Sequence, residues 1–151
     1  DTLIQTYPFN KENVIPFIKN IMGVLEIVDF RNFGGDTKIS FTIGNIFYKN
    51  TIIGKEIPFN QINSAVLERI LIIANHNNKE IQGNSSAVEP SILDVLAQVL
   101  NQARKYEIPV ENDYVIITCS FIGVNVITPN KLVKIDFGPI LGTVEYTLVD
   151  N

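Results

Sequence analysis

The sequence predicts an α+β domain in which two to three helices pack on mainly antiparallel β-sheet. Three observations carry that expectation. A segment near residue 92 repeats its apolar residues at the spacing of one helix face. Several other segments alternate apolar and polar residues, as half-buried strands do. The order is helix, strands, two helices, strands, which suits helices on an antiparallel sheet better than alternating βαβ units. With 46% apolar residues, residues 1–151 read as a single globular domain long enough to bury a core.

Near the start of the sequence stands "YPFNKENVIPF", from Tyr7, and "IPFNQIN" returns fifty residues later. Each copy precedes an apolar run. The shared P-F-N reads as helix punctuation: Pro holds the approach extended, Phe packs back as a staple and Asn caps. Asn13 then caps a short helix from Val14 to about Met22, with Pro16 tolerated in its first turn. In the second copy Asn60 or Asn63 caps a segment over Gln61–Asn75 carrying Ile62, Val66, Leu67, Ile70 and Leu71. Its run "ILIIA" is apolar on all sides and reads as a deeply buried helix or a strand, helix being favoured by the capped start and by Glu68-Arg69, which break any alternation.

Between them, residues 24–57 read as a meander of three or four strands. In "TKISFTIG", Ile39, Phe41 and Ile43 share a face, with Gly34-Gly35 supplying a tight turn before them. "IFYKNTII" reads as a hairpin turning at Lys49-Asn50. Residues 76–90, "HNNKEIQGNSSAVEP", are polar and without period, and read as a long exposed loop. Asn84-Ser85-Ser86 spells a glycosylation sequon, which has meaning only in a eukaryotic secretory protein.

The clearest element is "PSILDVLAQVLNQARKY". Ile92, Leu93, Leu96, Val99, Leu100, Ala103 and Tyr106 form one stripe, and Ser86 with Glu89, or Ser91 with Asp94, offers a capping box. "DYVIITCSFIGVNVI" then reads as a long strand bulged at Gly123. "KLVKIDF" is expected to bury Val133, Ile135 and Phe137. "TVEYTLV" is expected to bury Val144, Tyr146 and Leu148.

The chemistry-bearing residues do not assemble into a motif. His76, the one histidine, reads as a solvated residue at a helix end, unpaired and exposed. Cys119, the one cysteine, shares a strand face with Val115, Ile117 and Phe121 and reads as a small core hydrophobe. Glu107, Glu111 and Asp113 read as a solvated turn, and Asp29, Arg31 and Asp36 as surface charges beside a hairpin. Phosphate-binding glycine loops, nucleophile elbows and zinc-binding helix motifs do not occur. No catalytic, cofactor-binding or metal-ligating set therefore emerges. A net charge of −4 with three arginines argues against nucleic acid, and no apolar stretch reaches bilayer length.

The functional expectation follows from this lack of chemistry and from long uncharged strands whose edges need covering. It is a non-enzymatic structural or assembly protein, a component of a ring, filament or viral particle. Its partner would be a further copy of itself or another protein chain. Contact burying at least about 1,000 Å² is expected, through strand residues or the loop side chains Asn78, Lys79, Gln82 and Asn84. Two alternatives stand beside it: an acidic inhibitor or immunity-type protein, and a small enzyme or ligand-binding domain with a pocket between sheet and helices.

Overall fold

The computed structural model describes residues 8–29, 48–76, 79–87, 89–111, 114–118, 120–123 and 125–149. Within them the architecture is α+β, as expected, with antiparallel pairing throughout and one long helix. Strands β1 (Asn20–Ile21) and β2 (Val24–Val28) run antiparallel to β4 (Ile57–Pro58) and β3 (Tyr48–Ile53), respectively. Together they make a two-stranded ribbon interrupted at Gly23 and Gly54, where Gly54 N–H donates to Gly23 O at 2.9 Å. The main sheet has four strands in the order β6 (Lys79–Asn84), β5 (Leu71–His76), β7 (Leu132–Asp136), β8 (Thr143–Thr147).

The alternation of the last two strands does what the pattern predicts. Val133, Ile135 and Val144 are buried on the inner face, with Phe137 just beyond β7, while Tyr146 and Leu148 are half-buried. Ile72 and Ala74 of β5 join them, and Phe59, Leu67, Ile70 and Leu141 complete the core. The ribbon covers this face through Ile21, Leu25, Ile52 and Ile57.

Helix α1 (Ile92–Lys105) begins as the sequence predicts. Ser91 Oγ accepts from Asp94 N–H at 3.3 Å and donates to the Asp94 carboxylate at 2.7 Å. Its stripe buries Ala97, Leu100 and Ala103, while Val99 and Tyr106, at its margin, are exposed. Leu100 packs with Phe9 and Val14 in a second, smaller cluster. Asn101 ties the N-terminal segment to this helix: Phe9 N–H donates to its Oδ1 at 2.8 Å, and its Nδ2–H donates to Phe9 O at 2.8 Å. One amide side chain thus satisfies both backbone groups of a buried residue. Asn101→Ala is expected to cost about 1–3 kcal/mol in urea denaturation, because it strands a donor and an acceptor at once.

Several expected elements differ. The helix at 14–22 is only a 3₁₀ turn, Ile15–Phe17. Asn10 and Asn13 cross-brace the turn before it, Asn10 Oδ1 accepting from Glu12 and Asn13 N–H and Asn13 Oδ1 from Asn10 N–H. Ile18 then turns extended so that Asn20–Ile21 can pair with β4. The helix at 61–75 is split. Asn63 caps a 3₁₀ helix, Ser64–Arg69, its Oδ1 accepting from Ala65 N–H at 3.0 Å. Residues 71–76 are then an interior strand of the sheet.

Residues 48–53 form one strand without a turn at Lys49-Asn50, because both sides of Lys49 pair with β2; the register shifts between Ile27 and Val28, leaving Lys49 as an irregularity in the ladder. The loop expected at 76–90 is largely β6 and a 3₁₀ turn, Ser85–Ala87. Its polarity is that of an edge strand wet on one face. None of the described residues of 114–127 joins a ladder; Phe121 and Ile122 instead cross over Gly83, whose missing side chain admits the Phe121 carbonyl. Gly34-Gly35, "TKISFTIG", Arg31, Asp36, Asn78, Asp113 and Cys119 lie outside the described residues.

Candidate functional site

A cavity of about 330 Å³ opens where the Ser64–Arg69 turn, the start of β5 and the end of β7 meet. Three local devices shape it. The Asn63 cap sets the direction of the turn that contributes Val66, Leu67 and Arg69. Ser85, itself buried, then fixes the junction into β5: its Oγ accepts from Ile70 N–H at 2.8 Å and its N–H donates to Ile70 O at 2.9 Å. Ile70, Leu71 and Ile73 therefore form a held wall.

The third device is the short helix α2 (Gly138–Leu141), which supplies Pro139, Ile140 and Leu141. Asp136 Oδ1 accepts from Gly138 N–H at 2.8 Å. Gly138 and Gly142 adopt φ of 82° and 72°, a region that side chains with a Cβ enter at a cost. Phe137 N–H donates to Gly142 O at 2.9 Å, closing the turn on itself.

Aliphatic side chains dominate the lining, with two charged groups among them, Arg69 and Asp136. Arg69 is exposed, and no carboxylate among the described residues pairs with it. Asp136 commits one carboxylate oxygen to Gly138 and is half-buried. A second hollow of about 410 Å³, between Ile15, Ile18 and Phe59, shares Ile62 with the first but has no charged side chain. The charged cavity is the one with a means of orienting a ligand.

The residues singled out from sequence lie elsewhere. His76 is on β5 rather than at a helix end, and it is half-buried rather than exposed. Its Nε2 accepts from Thr128 N–H at 3.1 Å, which places the ring proton on Nδ1, a buried atom without a hydrogen-bond partner. His76 lies five residue steps of extended strand, ~17 Å, from Leu71 at the cavity. Gln82 and Asn84 project from β6 on the outer face, opposite Ile73 and Leu71 of the cavity wall without themselves lining the cavity, whereas Lys79 has the opposite parity. Glu107 and Glu111 are exposed. Lys134 and Glu145 form a solvent-exposed pair at 3.0 Å. Among the described residues no three His, Cys, Asp or Glu side chains come together as metal ligands, and no helix is long and apolar enough to cross a membrane.

Sequence reasoning missed Arg69 and Asp136. The signal was slight: each is a charge beside an apolar run, "LERILIIA" and "VKIDFGPIL". Only the sheet register brings those runs together.

No family model and no curated protein matches this chain. Among solved structures it is similar to 4-oxalocrotonate decarboxylase from Pseudomonas putida G7. The form complexed with magnesium and adipate is 18% identical with a TM-score of 0.78, over 93% of this chain and 53% of that one. The form complexed with calcium and acetate is 17% identical with a TM-score of 0.77, over 93% and 52%. The chain spans about half the length of these neighbours. At such identities the likeness is one of fold.

That likeness corrects the functional expectation. The fold is one used by an enzyme, so the reading as a structural, assembly or virion component is overturned. The lean against an enzyme loses its support with it. Of the alternatives, the small enzyme or ligand-binding domain with a pocket between sheet and helices fits better.

Proposed function

We propose that the chain is a ligand-binding domain of enzyme type that takes a small aliphatic carboxylate into the cavity between the Ser64–Arg69 turn and α2. The observation that carries this is the cavity lining: aliphatic walls with one guanidinium that has no carboxylate partner among the described residues. Each methylene withdrawn from water there contributes about 0.8 kcal/mol. The planar guanidinium offers two parallel N–H donors to a carboxylate, a charge-assisted pairing that fixes orientation as well as adding affinity. The volume lies at the small end of ligand pockets, which suits a metabolite-sized molecule.

The structural neighbours lend support, since they are complexed with adipate and with acetate, both carboxylates. They also carry magnesium or calcium. Among the described residues of this chain no three His, Cys, Asp or Glu side chains come together, so those residues do not fit a bound ion, and the proposed binding uses none. Fold alone assigns no reaction, and among the described residues the cavity lining has no Ser, Thr, Cys, His or Lys side chain.

Calorimetric titration with caproate tests the reading. The expected dissociation constant is about millimolar, as befits a ligand of few heavy atoms at a partly open site. Leu71→Trp, which places an indole at the half-exposed mouth, and Arg69→Gln, which removes the fork, should each weaken binding about tenfold or more. Both should leave the far-ultraviolet circular dichroism intact. Unchanged affinity in both variants would remove the cavity from consideration.

A further inference from the structure

The two charges that line the cavity are carried by separate elements. Arg69 closes the 3₁₀ turn, and Asp136 lies beside Ile73 in the sheet register. From Arg69 to Ile73 is four residue steps of largely extended chain, ~13 Å. Aliphatic side chains fill the interval, Leu71 and Ile73 from the strand and Ile140 from α2. A linear ligand lying along this wall meets a cation at one end and a carboxylate at the other.

Asp136 is held in place for that role. Its Oδ1 accepts from Gly138 N–H at 2.8 Å, and Oδ2 has no partner among the described residues. A carboxylate so placed accepts hydrogen bonds and donates none. It favours a donor, above all a cationic one, and repels a second anion.

Resting on the binding reading above, we infer that the ligand is a bipolar aliphatic molecule. It carries a carboxylate at the Arg69 end and an amine or hydroxyl donor at the Asp136 end, and is not a dicarboxylate. This sets the chain apart from a structural neighbour that is complexed with adipate.

Three six-carbon probes separate the possibilities: ε-aminocaproate, caproate and adipate, each titrated calorimetrically into the intact chain. The expected order is ε-aminocaproate tightest, caproate intermediate and adipate weakest, with about tenfold or more between first and last. Asp136→Asn keeps an oxygen for Gly138 N–H while removing the charge, and should bring ε-aminocaproate and adipate to within about twofold of each other. The wild-type ranking is decisive on its own if that variant folds poorly. Adipate binding as tightly as ε-aminocaproate would overturn the inference while leaving the cavity reading in place. Failure of all three probes to bind would overturn both.

Discussion

Replacing Leu100 with alanine is expected to lower the unfolding free energy by about 2–5 kcal/mol, the usual range for emptying a packed leucine site. Gln98→Ala, two residues earlier on the same helix, should fall within about 0.5 kcal/mol of wild type. The contrast follows from position. Leu100 is 6% exposed and packs with Phe9, Ala97 and Val14, the last with no exposed surface at all. Phe9 is itself set edge-on to Phe17, with ring centroids 5.6 Å apart and planes at 88°. Leu100 is thus enclosed by buried side chains, whereas Gln98 faces solvent. Urea denaturation of the two variants provides the comparison, and equal losses would refute the orientation of the helix.

Gly54→Ala is expected to destabilise by about 1–3 kcal/mol, through overpacking rather than a cavity. A methyl group there would lie 2.8 Å from Val144 Cγ2 and 2.9 Å from the Gly23 carbonyl oxygen. Val144 is 3% exposed and cannot retreat, and Gly23 O accepts the Gly54 N–H. The ribbon must therefore lift away from the main sheet at its interruption. Gly123→Ala, with nothing within 4 Å of the added carbon, should be close to neutral. Thermal melts of both variants make the test, and similar midpoints would show that the ribbon is not tightly apposed to the sheet.

What could be read from the sequence depended on how each element is buried. Helix α1 was legible because one face is wet and the other dry, and because Ser91 and Asp94 announce its start. Strands β7 and β8 were legible for the same reason at period two, Val133 and Ile135 in, Lys134 out. The run "ILIIA" was not. It lies in an interior strand with the cavity on one side and the core on the other, and such a strand loses its alternation and resembles a buried helix. Strand β6 was hidden in the opposite way. Of its inward positions Ile81 is apolar, Gly83 is bare to admit the Phe121 backbone, and Lys79 is charged.

The candidate site was less legible still. Asn63 was recognised as a cap, but Arg69 and Asp136 are 67 residues apart and carry no motif. Only the pairing of Ile73 with Asp136 puts them on one cavity. Conversely His76 drew notice for its chemistry alone, and its ring serves as acceptor for the Thr128 backbone.

The most direct test of the account is a methyl nuclear magnetic resonance titration of the Ile-, Leu- and Val-labelled chain with caproate. The cavity reading predicts saturable shifts at Val66, Leu67, Ile70, Ile73, Ile140 and Leu141, with Leu25, Ile52 and Leu100 unmoved. Saturable shifts confined to the ribbon or to helix α1, with the cavity methyls silent, would contradict it.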